Sequence, residues 1–159
     1  MALVSCNLVF QAQIRNVSKK GIIFLSYDKL VIFTDGAARG NPGPAAIGVV
    51  LQDEKGNTVA TICKALGKKT NNQAEYTAVI SGLEKAISLG AKQVLLKSDS
   101  ELVVKQLTGL YKVKNADLRE MYQQAIKLTG QLQKFTAVNI PREQNRQADA
   151  LCNKALDKE

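Results

Sequence analysis

The strongest constraint on the fold comes from a short, uninterrupted apolar segment beyond the middle of the chain. Val94-Leu95-Leu96 lies between Gly90, which stops the preceding helical pattern, and a polar stretch that begins at Lys97. A continuous apolar run of this length is typical of a strand buried on both faces, because successive side chains of a strand point to opposite sides of the sheet. Such a strand needs helices on both faces, so we expect an α/β architecture.

The segments before and after this run predict the rest of the element order. Residues 30–34, 46–52 and 58–66 fit three antiparallel strands, and residues 135–140 fit a last strand. Apolar residues recur at helical spacing over residues 73–89, and further helices fit the segment from Ser98 or Ser100 to Gly109, residues 116–132 and residues 145–156. The order β-β-β-α-β-α-α-β-α predicts a mixed five-stranded sheet with helices on both faces.

Length and charge suggest one domain with an affinity for polyanions. The chain has 159 residues, so residues 29–159 are expected to form a single domain, while residues 1–28 are an N-terminal extension of unknown role. The net charge of +8 favours polyanionic partners, because phosphate contacts release condensed counterions. On charge alone, a soluble basic protein without such a partner fits equally well. No apolar stretch reaches the length of a membrane span, and we expect a cytoplasmic monomer.

The residue types that the chain lacks restrict its chemistry. It has no histidine, which excludes Ser-His-Asp and Cys-His catalysis and the usual zinc sites. Its cysteines, Cys6, Cys63 and Cys152, are far apart and are expected to be reduced packing residues. Any catalysis must therefore depend on carboxylates, Lys, Tyr, Cys or a bound metal ion.

Acidic residues occupy four positions where strands end or helices begin. Asp35 ends the first core strand, Asp99 follows the apolar strand, and Glu75 and Asp149 lie in the predicted first turns of two helices. Taken singly, each has an ordinary interpretation as a turn residue, a helix cap or a favourable charge at a helix start. Taken together, they would repel one another and take up protons unless a cation neutralised them.

A hard cation such as Mg²⁺, which prefers oxygen ligands, would supply that neutralising charge. Two such ions roughly 3.5–4 Å apart can stabilise both the attacking and the leaving oxygen of a phosphoryl displacement. The acids therefore predict a divalent-metal site that acts on phosphodiesters.

Four segments resemble those of type 1 ribonucleases H, in matching order. They read TDGAARGNPGPAAIGVV, TNNQAEYTAVISGL, SDSELVVKQLTG and PREQNRQADALCNKAL, and the resemblance covers residues 30–158. It implies a ribonuclease H-like fold and an endonuclease that hydrolyses the RNA strand of RNA–DNA hybrids by two-metal-ion catalysis. The products would carry 5′-phosphate and 3′-hydroxyl ends. Asp35, Glu75, Asp99 and Asp149 match the family's catalytic metal ligands for two Mg²⁺ ions, for which Mn²⁺ can substitute.

The same resemblance implies substrate contacts. Asn41, Asn71 and Asn72 match positions that contact the minor groove and sense 2′-hydroxyl groups, which is how proteins distinguish RNA from DNA. Asn71 and Asn72 also offer N-cap side chains to the helix that follows, so capping and substrate contact can coexist.

Three further positions are implied to contact the substrate. Thr70 and Asn115 match a pocket that holds a phosphate of the DNA strand, with Lys68 or Lys69 nearby. Glu101 stands where the family often has Gln and is a candidate minor-groove contact.

The sequence departs from better-studied family members in two places. The basic, aromatic-rich handle is reduced to TGLYKVKNADL, and the histidine of the loop before the last aspartate is absent. In that loop, Arg142 or Glu143 either stabilises charge near the leaving group or only anchors the loop; Arg142 is the catalytic candidate. Two alternatives stay open: a broader ribonuclease that also cuts double-stranded RNA, and an inactive nucleic-acid-binding module on the same fold.

Overall fold

A computed structural model describes residues 26–158, and the element order is the one predicted from the sequence. The strands are β1 (Lys29–Ala38), β2 (Gly43–Gln52), β3 (Thr58–Lys69), β4 (Gln93–Ser98) and β5 (Lys134–Asn139). The helices are α1 (Asn71–Ser88), α2 (Glu101–Leu107), α3 (Ala116–Thr129) and α4 (Arg146–Leu156), with a 3₁₀ turn at Arg142–Gln144. Residues 1–25, which include Cys6 and most of the predicted extension, lie outside the described residues.

The five strands form one mixed sheet in the order β3-β2-β1-β4-β5. β1 pairs antiparallel with β2 and parallel with β4, and β4 pairs parallel with β5. In the parallel pair, Thr34 of β1 lies opposite Ser98 of β4. The residues that follow them, Asp35 and Asp99, therefore lie at the same edge of the sheet. The predicted mixed five-stranded sheet is confirmed.

Helices cover both faces of the sheet. α1 and α3 pack on one face over the larger core, to which β1 contributes Leu30 and Ile32. Ala37 lies on the other face of β1, which it shares with Asp35. It packs against a smaller cluster that includes Cys152 of α4. The fold therefore places α1 and α4 on opposite sides of β1, next to Asp35.

The start of α1 differs from the sequence prediction. The N-cap is Thr70, not Asn71 or Asn72: its hydroxyl accepts from the Gln73 amide at 3.2 Å, and the Gln73 side chain accepts from the Thr70 amide at 2.9 Å. This reciprocal pair satisfies two backbone donors that a helix start leaves unpaired. Glu75 is consequently the fifth residue of the helix, beyond the first turn in which the sequence placed it.

Two other features refine the predicted boundaries. α3 ends at Thr129, three residues earlier than the apolar pattern indicated. Before β1, Tyr27 packs against the larger core and its amide donates to the Leu89 carbonyl at 3.3 Å. The boundary between extension and domain at residues 28 and 29 stays a prediction. Among the described helices, none combines the length and hydrophobicity that a membrane crossing requires.

Candidate active site

Three of the four predicted carboxylates come together at the edge of the sheet where β1 and β4 end. Asp35, Glu75 and Asp99 each offer an oxygen atom, and these atoms all lie within 4.8 Å of one another. Asp35 and Glu75 are buried, each only 7% exposed, whereas Asp99 is partly exposed. The cluster is therefore a pocket with two deep acids and one at its rim.

A glycine allows α1 to bring Glu75 next to Asp35. A Cβ atom at Gly36 would overlap the carbonyl group of Ala74 and the amide of Glu75, so the backbones of β1 and α1 touch at this point. The nearby Gly36 amide partly offsets the rise in the pKa of Glu75. The sequence pattern predicted a first strand over residues 30–34, but the strand continues through Asp35 and Gly36. Only glycine permits so close a contact between a helix and a strand.

Asp149 lies beside the cluster but is held differently from the other three acids. It is in the first turn of α4, as predicted, and one of its oxygens accepts from Arg142 Nη2 at 2.8 Å. The other accepts from Asn153 Nδ2 at 3.2 Å. Its charge still reaches Asp35, whose pKa it helps to raise. The structure thus places Asp149 and Arg142 together at the edge of the cluster.

The electrostatics of the buried acids show an excess of negative charge. Burial, reinforced by the charges of Asp99 and Asp149, raises the pKa of Asp35 to about 6. The pKa of Glu75 is raised well above its ordinary value, mainly by burial and then by the charge of Asp35. Raised carboxylate pKa values mean that the pocket destabilises its own charges when no cation is bound.

The pocket fits a hard divalent cation on its own chemistry. The Glu75 Oε2 atom is buried and, among the described residues, has no hydrogen-bond donor. An ionised oxygen in that position lowers the stability of the protein unless a bound cation or a proton compensates its charge. All the candidate ligand atoms are carboxylate oxygens, the type that Mg²⁺ and Mn²⁺ prefer.

Two of the candidate substrate-binding residues are linked to each other. Asn41, in the β1–β2 loop, accepts from the Asn71 amide at 3.1 Å, and the Asn71 side-chain oxygen accepts from the Ala38 amide at 3.3 Å. Both asparagines are exposed, and the amide nitrogen of neither side chain has an acceptor within residues 26–158. The pair therefore presents two fixed donors to solvent at the start of α1.

The other candidates serve as helix starts or surface residues. Thr70 caps α1, and the Asn115 side chain caps α3 by accepting from the Leu118 amide at 3.1 Å. Glu101 is exposed at the start of α2 and forms an ion pair with Lys105. Thr70 is partly exposed and Asn115 is exposed, and the N-terminus of a helix attracts a phosphate group.

Sequence reasoning missed two residues that contact the acids. Asn145, taken only as the start of the last helix, is buried and donates to Asp99 at 3.1 Å. The Cys152 thiol lies within hydrogen-bond reach of Asp35, and burial raises its pKa to about 12. Neither residue has a distinctive motif, since an asparagine before a helix usually signals a cap and a cysteine in an apolar pattern usually signals packing.

The fold and the cluster together define a class of α/β proteins in which two adjacent parallel strands and a neighbouring helix bring together carboxylates that can hold a divalent cation. A family model described as reverse transcriptase-like matches residues 33–155. A ribonuclease H of Pseudomonas syringae pv. syringae is 30% identical over 152 residues, covering 82% of this chain and 93% of that protein. The chain belongs to the ribonuclease H family.

Other relatives share more of their sequence with the chain. A ribonuclease HI of Halobacterium salinarum is 46% identical over 125 residues, which is 79% of this chain and 63% of that protein. LC11-RNase H1 is a protein isolated from compost. Its structure in complex with an RNA/DNA hybrid matches this chain with a TM-score of 0.77 at 46% identity, over 81% of this chain and 97% of that one. The chain spans 36% of the length of its mycobacterial relatives.

Proposed function

We propose that the protein is an endonuclease that hydrolyses the RNA strand of RNA–DNA hybrids with the help of divalent cations. The observation that carries this proposal is the cluster of Asp35, Glu75 and Asp99, whose ligand atoms lie within 4.8 Å of one another. The relative of 46% identity that was crystallised with an RNA/DNA hybrid supports the choice of substrate. The net charge of +8 supports a polyanionic substrate.

In this proposal the four acids hold the cations against the scissile phosphate. Asp35, Glu75 and Asp99 form the inner ligand set, and Asp149 joins them from α4. Bound Mg²⁺, for which Mn²⁺ can substitute, supplies Lewis-acid stabilisation of the phosphate and lowers the pKa of water. Arg142, which contacts Asp149 at 2.8 Å, places a positive charge at the rim, where it stabilises negative charge on the leaving group.

The residues at the helix starts bind the substrate. The exposed side-chain amides of Asn41 and Asn71 donate to 2′-hydroxyl groups in the minor groove, with Asn72 beside them. Thr70 and Asn115 hold a phosphate of the DNA strand at the N-termini of α1 and α3. Glu101 follows Asp99 by two residues and is the remaining minor-groove contact.

Cleavage of labelled duplexes tests the proposal. With Mg²⁺ or Mn²⁺, the protein is expected to cut the RNA strand of a hybrid and to leave 5′-phosphate and 3′-hydroxyl ends, while duplex DNA of the same sequence stays intact. Equal cutting in EDTA would reject the proposal. Salt-sensitive binding of the hybrid without turnover would instead identify an inactive binding module.

Double-stranded RNA is the substrate that separates a hybrid-specific enzyme from a broader ribonuclease. We propose the hybrid as the main substrate, so cutting of the RNA duplex with Mn²⁺ is expected to be slower than cutting of the hybrid. A cytoplasmic location and a monomeric state stay predictions from the sequence, which cell fractionation and light scattering would check.

A further inference from the structure

Asn145 is a buried side chain that connects three separately positioned parts of the site. It is 1% exposed, and its Nδ2 atom donates to the carbonyl oxygen of Thr34 at 2.8 Å and to Asp99 Oδ1 at 3.1 Å. The backbone carbonyl oxygen of Asn145 accepts from the Asp149 backbone amide at 3.0 Å. One residue therefore contacts β1 at the position immediately before Asp35, the carboxylate that follows β4, and the start of α4.

The hydrogen bonding of this amide argues against a purely stabilising role. The Asn145 Oδ1 atom is buried and has no hydrogen-bond partner within the described part of the chain. A buried polar atom without a partner lowers stability, and an apolar side chain of similar volume would avoid that cost. The asparagine at this position therefore indicates that its two donated hydrogen bonds have a role other than stabilising the fold.

Those two hydrogen bonds fix Asp99 relative to Asp35. The Thr34 carbonyl is part of the rigid backbone of β1, so an amide that contacts both Thr34 and Asp99 sets the distance between that strand and the Asp99 carboxylate. Asp99 is the partly exposed member of the cluster, so it is less constrained by packing than Asp35 and Glu75. Hydrogen bonds from surrounding residues to ligating carboxylates orient them and raise metal affinity.

We propose that Asn145 is a positioning residue that holds the Asp99 carboxylate in place for cation binding without itself contacting the cation. This inference rests on the proposed function, since it assumes that Asp35, Glu75 and Asp99 bind a divalent ion. It assigns the affinity of the site for that ion partly to a side chain outside the ligand set.

Calorimetric titration of the protein with Mn²⁺ alone, without nucleic acid, tests the proposal. Asn145→Leu keeps the volume and removes both donors, and Asn145→Ala removes the side chain. Both variants are expected to bind Mn²⁺ roughly tenfold to a hundredfold more weakly than the parent. Thermal unfolding without metal shows which of the two variants retains the cooperative transition of the parent. The Mn²⁺ affinity of any variant that folds is then compared with that of the parent.

Asn139→Ala is the matched control. The Asn139 side-chain amide donates to the Ser98 carbonyl at the end of β4, at 3.1 Å, and among the described residues it is not seen to hydrogen-bond to any of the four acids. Its loss is expected to change Mn²⁺ affinity less than twofold. Equal weakening by both changes, or a folded Asn145 variant that binds Mn²⁺ within twofold of the parent, would overturn the positioning role.

The outcomes separate this inference from the proposed function. A parent protein that neither binds Mn²⁺ nor cuts a hybrid would remove the function and the inference together. A parent that does both, alongside folded Asn145 variants with unchanged Mn²⁺ affinity, would remove the inference alone. In the expected case, the KM for the hybrid stays close to the parent value while the Mn²⁺ concentration needed for half-maximal rate rises.

Discussion

Gly48 of β2 lies directly against Ala148 of α4, so that a Cβ atom on the glycine would overlap the Ala148 carbonyl oxygen and approach the Cys152 amide to 2.6 Å. Gly48 is also the residue opposite Asp35 in the β1–β2 pair. The missing side chain therefore lets the first turns of α4, which carry Asp149, approach the strand that carries Asp35. Together with Gly36, it brings a helix close to the acids on each side of the sheet.

Gly48→Ala is expected to push α4 away from β2. Overpacking at a close backbone contact costs about 1–3 kcal/mol, so the free energy of unfolding should fall by that amount. Hybrid cleavage should fall by at least about tenfold, because small displacements of catalytic groups have large effects on rate. Chemical denaturation and cleavage assays measure the two effects.

Gly130→Ala is the control for this change. Gly130 has an ordinary helical φ of −64°, and the nearest atom to an added Cβ would be 3.4 Å away. Its substitution should leave activity unchanged and stability within about 0.5 kcal/mol, as for most surface substitutions. If Gly48→Ala behaved in the same way, the close contact would have no role in placing Asp149.

The raised pKa of Asp35 predicts how stability depends on pH in the absence of metal. Its pKa rises from 3.8 to about 6 on folding, so the folded protein binds the proton more tightly. The resulting stabilisation is present below about pH 4 and is lost as the pH rises through 6. Asp35→Asn should therefore gain stability relative to the parent between pH 4 and pH 7, by up to about 3 kcal/mol.

Urea denaturation at a series of pH values in EDTA measures this difference. Asp53→Asn is the comparison variant, because hydrogen bonds from Asn57 and Lys55 lower the pKa of Asp53. The sign is then opposite: that variant should lose stability relative to the parent at neutral pH, and this loss should shrink as the pH falls through the lowered pKa of Asp53. A stability difference between Asp35→Asn and the parent that did not change with pH would contradict the buried, uncompensated charge.

Asp99→Asn is expected to abolish cleavage while the protein stays folded. The change removes one ligand charge but keeps the shape and a group that can meet Asn145, which lies 3.1 Å away. Turnover of the hybrid should fall about a hundredfold or more, as when a group that stabilises transition-state charge is lost. A melting temperature at or above that of the parent, with residual activity above a tenth, would show that Asp99 is dispensable.

Arg142→Met separates a catalytic role of Arg142 from anchoring of the loop. The ion pair with Asp149 is exposed on the arginine side, with 73% of the side chain accessible, so its loss should change stability by less than about 1 kcal/mol. If Arg142 stabilises leaving-group charge, kcat should fall about tenfold to a hundredfold with little change in KM.

Arg146→Met is the matched control for charge alone. Arg146 is exposed and begins α4, only four residues beyond Arg142. Its removal lowers the net charge equally and should affect substrate binding more than kcat. Equal effects of the two changes on kcat would assign the result to general electrostatics and not to the position of Arg142.

The sequence predicted the element order because apolar periodicity and turn residues are local signals that survive without tertiary contacts. It also predicted that the acids form one metal site, and the parallel pairing of β1 with β4 in the structure explains why Asp35 and Asp99 meet. The position of Glu75 along α1 was wrong by two residues, because the helix begins at Asn71 and not at Gln73. Thr70, not Asn71, caps the helix, and single-residue cap choices depend on a reciprocal hydrogen bond with Gln73.

The sequence by itself determined the fold class, the candidate acids and the exclusion of histidine-dependent chemistry, since each follows from residue type and local pattern. Only the tertiary structure showed that Asp149 pairs with Arg142 at the rim and that Asn145 donates a hydrogen bond to Asp99. It also showed that Gly36 and Gly48 allow α1 and α4 to pack closely against the strands. Apart from Arg142 and Asp149, which are seven residues apart, these contacts join residues far apart in the chain. Their distances are set by how helices pack on the sheet, which no local pattern encodes.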